Sequence, residues 1–176
     1  HNECMNFFEK GTRSLFLKGN ISSQKYLWKK ACLIDKFENF FSFEKIVNNF
    51  LECQQEFRGA VEDDLAFREF IPLRKIGEHK TGMPLSQEYR TFVYQGKIIS
   101  THKYWENEVY FKDRPNQKWL QNIADVIWIN TNNHLFTIDT AQTSKFDWIV
   151  IEIGDGQVSC IQEQNETKNV YENIIK

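Results

Sequence analysis

The sequence predicts an α+β domain in which short strands outnumber helices. Short apolar and aromatic runs bounded by turn residues recur along the chain, as strands do. One long segment, Phe43–Phe57, instead carries apolar residues at helical spacing. Aromatics make up 15% of the 176 residues, with fifteen Phe and five Trp, which is ample material for one buried core. That composition excludes a disordered chain, a collagen-like one and a polar linker.

Element by element, Leu15–Leu17 reads as a strand entering a polar loop, Gly19–Gln24, and Ala31–Asp35 as a second strand. Ser42 is placed to cap a helix over Phe43–Phe57. There Phe43, Ile46, Val47, Phe50, Leu51 and Phe57 fall on one face, and Gly59 can close the end. Leu65–Ile71 is a strand stopped by Pro72, and Arg74–Pro84 is a long polar connection. Tyr89–Tyr94 and Lys97–Tyr104 form a hairpin turned at Gln95-Gly96. Pro115–Ile123 is helical, and Leu135–Asp139 and Trp148–Ile153 are strands. Gly154-Asp155-Gly156 turns the chain tightly into Val158–Ile161, and Thr167–Ile175 is a closing helix. Two lobes are expected to meet near residue 71.

Lys plus Arg (22) nearly balance Asp plus Glu (24), for a net charge of −2. No domain-wide basic field holds nucleic acid by phosphate neutralisation. The densest basic cluster, Lys25, Lys29 and Lys30, reads as a solvated face. Cys4, Cys32, Cys53 and Cys160 form no CxxC pair, and the histidines make no HxxxH or HExxH pattern, so zinc-ligand spacing is absent. No apolar run approaches the roughly 20 residues that span a bilayer. A soluble, cytoplasmic protein is the expectation.

Arg68 and Arg90 sit inside aromatic strands, in Phe67-Arg68-Glu69-Phe70 and Tyr89-Arg90-Thr91-Phe92. A strand arginine either faces solvent or needs a partner, and two of them suggest an anion-binding surface. Asp139 and Glu152 lie on successive strands, and alternation groups Glu152 with Val150 and Trp148 on one face. If the strands pair, the two carboxylates converge and call for a cation; Mg²⁺ accepts such a pair together with phosphates. Asp155 in the glycine turn offers a third. Lys18 and Lys25 bound a loop of small polar residues that can offer charge and backbone N–H groups to a phosphate chain, although its glycine spacing is not that of a Walker A loop. Together these features describe a Mg-nucleotide site.

This pattern resembles the ATP-grasp superfamily, in particular the divergent clade that includes the eukaryotic cell-division-cycle translation-initiation regulator and its bacterial and phage relatives. Four segments match in order. Leu15-Phe16-Leu17-Lys18-Gly19-Asn20-Ile21-Ser22 with Lys25 resembles the clade's K-x-N-x-S strand and loop. Leu65–Leu73 resembles its interlobe hinge, and Glu88-Tyr89-Arg90-Thr91-Phe92-Val93 its central E-[FY]-R-x-F-V strand. Leu135–Asp139 and Trp148–Gln157 resemble its paired metal-binding strands.

The resemblance implies an ATP-grasp fold, two lobes with antiparallel sheets and an ATP cleft between them. The chain would be one domain over residues 1–176, with a small lobe over about 12–70 and a large lobe over about 71–176. It implies that Lys18 and Lys25 contact ATP phosphates, with Lys18 and Arg90 serving catalysis. Arg68 lies at the hinge strand, while Glu69, Phe70 and Ile71 hold adenine and ribose. Arg90 faces the transferred phosphoryl group, and Asp139 and Glu152 hold Mg²⁺. Many members carry Asn two residues after the metal-binding acid; here Gly154 stands there, and Asp155 is the substitute ligand. The implied activity is ATP- and Mg-dependent ligation of a carboxylate to an amine through an acyl phosphate, on a peptide or protein. The alternative is a non-ligating ATP-binding assembly chaperone or regulator. A nucleic-acid ligase would need a K-x-D-G motif, and Ile153 occupies the position of its lysine. Members usually carry an N-terminal domain before the small lobe. With the chain starting at His1 and Met5 a late alternative start, that domain is expected to be missing or minimal.

Overall fold

The computed structural model describes residues 14–19, 25–35, 40–58, 64–106, 108–161 and 164–175. The loop Asn20–Gln24, Gly59, Cys4 and Met5 lie outside the described residues, as does the side chain of Phe57. The class is α+β with antiparallel sheets, and the chain divides into two compact units. One comprises residues through Ile71 plus Glu78–Pro84; the other comprises Pro72–Gly77 and Leu85 onward.

In the first unit, β1 (Leu15–Gly19) lies between β2 (Leu33–Ile34) and β3 (Leu65–Glu69) in an antiparallel sheet. Alternation along β1 buries Leu15 and Leu17 on one face and leaves Phe16 and Lys18 half-buried on the other. The long helix α1 (Phe40–Arg58) covers the buried face. Its Phe50 packs with Leu17 and Ala31, flanked by Ile46, Val47 and Phe67. The helix starts before Ser42, which therefore lies inside it rather than capping it. The expected strand Ala31–Asp35 shrinks to β2, because Trp28–Cys32 winds into a single π-helical turn that buries Trp28, Ala31 and Cys32.

The second unit is built on a sheet ordered β7-β6-β8-β9. Its strands are β6 (Glu88–Tyr94), β7 (Lys97–Lys103), β8 (Leu135–Gln142) and β9 (Trp148–Asp155). The hairpin at Gln95-Gly96 has both residues at positive φ, as a tight two-residue turn requires. A side chain at Gly96 would also lie 3.0 Å from the Trp128 ring. Helix α2 (Gln117–Thr131) packs on one face of the sheet, where Val93, Phe136 and Ile138 meet Ala124. It begins after Asn116, whose side chain accepts from Trp119 N–H. It runs past the expected Ile123 because Ile127 and Trp128 continue the same apolar stripe, and Asn132 in the left-handed region ends it. Helix α3 (Gln164–Ile175) follows β9, and its Asn173 donates to Ile99 O of β7.

The connection Arg74–Pro84, expected to be irregular, contains β4 (Lys75–Glu78) and β5 (Pro84–Ser86), which form a two-stranded sheet. The polar stretch after β7 lacks strand or helix, yet it is tied down from below. Buried Gln87 accepts from Phe111 N–H and donates to Asp113 O, and Tyr110 Oη donates to Glu88 O. Arg74 lies 3.6 Å from the Phe111 ring centre and bonds Asp113 and Gln142. Among the described residues, no helix is long and apolar enough to cross a membrane.

Candidate functional site

Two irregularities set the front face of the four-stranded sheet, the one turned away from α2. In β6–β7 the register slips between Phe92 and Val93, and in β8–β9 between Asp139 and Thr140. At the second, Asp139 pairs with Glu152 and Thr140 with Val150, so Ile151 is an extra residue. The bulge corrects simple alternation. Glu152 turns to the front with Asp139, whereas Val150 and Trp148 pair with Thr140 and Gln142 and face the other way. The grouping of Glu152 with Val150 and Trp148 expected from period two is therefore broken.

The result is one row across four strands, His102–Arg90–Asp139–Glu152, each member register-paired with the next. Arg90 Nε and Nη2 donate to the two oxygens of Asp139 at 2.8 and 2.6 Å. Arg90 Nη1 donates to Cys160 O at 3.2 Å, and the guanidinium carbon lies 4.8 Å from the Tyr104 ring centre. Burial works against the charged form of Arg90, but the hydrogen bonds and charge of Asp139, helped by Tyr104 and Glu152, outweigh it and hold its proton above the ordinary arginine range. Asp139 is only 3% exposed, whereas Glu152 is open to solvent. His102 is a member that sequence reasoning misses. Its signal is positional: it lies opposite Arg90 across the hairpin turned at Gln95-Gly96.

The third carboxylate is not brought to this row. Asp155 pairs with Phe136, one residue out of phase with Glu152, and its Oδ1 accepts from Gln157 N–H. Val158–Ile161 is not a strand; it folds back over the front face, where Ser159 Oγ meets Thr137 Oγ1 at 3.0 Å and Cys160 O meets Arg90. A cavity of about 10 Å³ remains between Arg90, His102, Tyr104 and Cys160, room for a single water.

The donor set of this row fits a hard divalent cation. Asp139 and Glu152 are adjacent and all-oxygen, and a carboxylate oxygen bonded to Arg90 keeps a second lone pair. Among the described residues, no group of three His, Cys, Asp or Glu side chains is placed to hold a metal. Two protein carboxylates with phosphate and water is the pattern Mg²⁺ favours.

In the first unit, register pairs Phe16 with Arg68 and Lys18 with Ala66. Lys18 and Arg68 thus share the sheet face opposite the α1 core, and the Trp28 ring meets Phe16 and Phe70 beside them. Lys25 opens a one-turn 3₁₀ segment, Lys25–Leu27. Glu69 is exposed, and Ile71 is the last residue of this unit before Pro72 begins the next. Phe70 N–H donates to Ser14 O, which commits that backbone group to the sheet edge.

A family model for an ATP-grasp domain, the third family of its clade, matches residues 9–174. Solved structures with similar folds include an ATP-grasp ligase, PsnB, complexed with minimal precursor (TM-score 0.52, 10% identity, 95% of this chain and 46% of that one). N5-carboxyaminoimidazole synthetase from Staphylococcus aureus is similar too (TM-score 0.50, 13% identity, 95% and 40%). So is C-terminally truncated Cdc123 from Schizosaccharomyces pombe (TM-score 0.51, 17% identity, 96% and 73%). The chain spans about half or less of the two enzyme structures. No curated protein matches the sequence.

Proposed function

Because this chain belongs to that ATP-grasp domain family, we propose that it binds Mg-ATP and joins a carboxylate to an amine through an acyl phosphate. The observation that carries this reading is the row Arg90–Asp139–Glu152, which sets one cation beside two carboxylates. Asp139 and Glu152 would hold Mg²⁺. When bound, Mg²⁺ neutralises charge on the β and γ phosphates. A substrate carboxylate oxygen attacks the γ-phosphorus, the bond to the ADP oxygen breaks, and an acyl phosphate forms. An amine then attacks the acyl carbon, phosphate departs, and the nitrogen gives up a proton. Arg90, held charged and in a fixed orientation by Asp139, stabilises the oxyanions of both steps. No protein nucleophile is required. Lys18 and Lys25 are the candidates for further phosphate contact, with Arg68, Glu69, Phe70 and Ile71 for the nucleoside. The substrates we infer are a peptide or protein carboxylate and an amine.

Glu152→Gln should abolish ADP release while leaving the fold intact, checked by coupled ADP detection and circular dichroism. Unchanged turnover would sink the proposal. A second reading, a nucleotide-binding regulator that performs no ligation, is favoured by one observation: Arg90 already directs Nε, Nη1 and Nη2 to protein oxygens. Calorimetric binding of Mg-ATP with no ADP formed across pooled amino acids, polyamines and peptides would select it.

A further inference from the structure

We propose that Thr137 supplies a third protein oxygen to the cation site formed by Asp139 and Glu152, with Ser159 orienting it. The inference rests on the Mg-nucleotide reading above and adds a ligand to it. Thr137 lies two residues before Asp139 on an unbroken stretch of β8, so both side chains face the front, and its register partner is Gly154, two residues after Glu152. Position 154 has no free room for a side chain. A Cβ there would lie 2.8 Å from Thr137 Oγ1 and 3.4 Å from Ser159 Oγ. The space next to the carboxylate row thus holds two hydroxyls.

Their hydrogen bonds have a definite direction. Ser159 Oγ donates to Asp155 O at 2.7 Å, because a carbonyl can only accept. The single Ser159 proton is thereby spent, so in the 3.0 Å contact with Thr137 the donor is Thr137. Thr137 Oγ1 is left without a proton to offer and with lone pairs remaining. A hydroxyl in that state is an electron-pair donor, which suits a hard cation. Thr137 and Asp139 are 1% and 3% exposed, so the two oxygens share one dehydrated environment in which a cation finds little competing water. Asp155 enters through its backbone carbonyl, which fixes the proton order; its side chain is engaged with Gln157 N–H.

The test is titration of the full chain with Mn²⁺ in the presence of a non-hydrolysable ATP analogue, following free Mn²⁺ by electron paramagnetic resonance. Wild type binds Mn²⁺ and Glu152→Gln does not. Thr137→Val, equal in shape, should weaken Mn²⁺ binding about tenfold, and Thr137→Ser should recover most of that loss. Ser159→Ala should also weaken binding, by about tenfold at most, because the Thr137 proton is no longer assigned. Wild-type Mn²⁺ affinity in Thr137→Val, with Glu152→Gln deficient, overturns the role of Thr137 and leaves the site reading standing. Equal behaviour of wild type and Glu152→Gln overturns both. Thermal unfolding without Mn²⁺ checks each fold, and if Thr137→Val does not fold, Ser159→Ala decides: weaker binding supports the proposal and unchanged binding overturns it.

Discussion

The two faces of the four-stranded sheet come from the same strands and are held by different forces. On the face toward α2, Val93, Phe136 and Ile138 pack against Ala124, and the attraction is spread over many weak contacts. On the front, adjacent residues of those strands form His102–Arg90–Asp139–Glu152, and a few directed bonds carry the arrangement. One face therefore answers to volume and the other to the identity of single atoms. The bulge at Ile151 is where β9 changes phase to serve both.

The largest expected effect tests the front. Asp139→Ala leaves the Arg90 side chain, 16% exposed, without its carboxylate. Stranding a buried charge in this way costs about 3–5 kcal/mol, read from urea unfolding. The double variant Arg90→Met with Asp139→Leu removes both charges and should recover most of the loss. If it is as unstable as Asp139→Ala, the ion pair is not what the single variant breaks. The back face should respond to volume instead. Ile138→Ala opens a cavity and costs about 3 kcal/mol, whereas Ile138→Leu costs less than about 1.5 kcal/mol. Equal losses for Ile138→Leu and Ile138→Ala would erase the contrast between the faces.

What the sequence made legible follows the same division. The strands around Arg90, Asp139 and Glu152, the Gln95-Gly96 turn and the α1 stripe through Phe50 were readable, because period and turn chemistry are local properties. The bulge was not, since an extra residue shows only once a partner strand is in register. Trp148, Val150 and Glu152 therefore read as one face until β8 was laid beside them. Asp155 was misplaced for a related reason: its distance along the chain suits a ligand, but its phase on β9 turns it away. Helix ends were blurred where several caps compete, as at Ser42, while Asn116 settles the start of α2 by bonding Trp119 N–H. His102 escapes a reading of the sequence because nothing near it marks it; only the hairpin sets it against Arg90.

Gly154 lets the front face be tested at smaller scale. Gly154→Ala forces a methyl to within 2.8 Å of Thr137 Oγ1, and overpacking of this kind costs about 1–3 kcal/mol. Adding Thr137→Ala, which vacates that volume, should return part of the loss in urea unfolding. An additive double variant would mean that the two positions do not compete for the same space.

The smallest effect at neutral pH lies behind the sheet, at Tyr110. Its hydroxyl donates to Glu88 O at 2.8 Å and accepts from Trp105 N–H at 3.0 Å. Tyr110→Phe should therefore cost about 1 kcal/mol near pH 7. The more telling signature is alkaline. Burial, with Glu88 and Tyr89 adding to it, raises the phenol of Tyr110 well above its ordinary range, against the opposing bonds from Trp105 and Tyr104. Burial raises Tyr89 as well, although Arg114 opposes it. A phenol held neutral in the native chain supports the fold fully below about pH 10, the unfolded value. Above that, the unfolded chain releases its proton first and binds fewer protons than the native one, so stability falls as pH rises toward the folded value. Tyr110→Phe removes its share of that fall, leaving Tyr89 to supply the rest. Urea midpoints measured from pH 7 to 11 should drop less steeply in the variant than in wild type. Parallel curves would place the alkaline loss elsewhere and leave Tyr110 as a neutral hydrogen-bonding strut between the β6 backbone and the segment that follows β7.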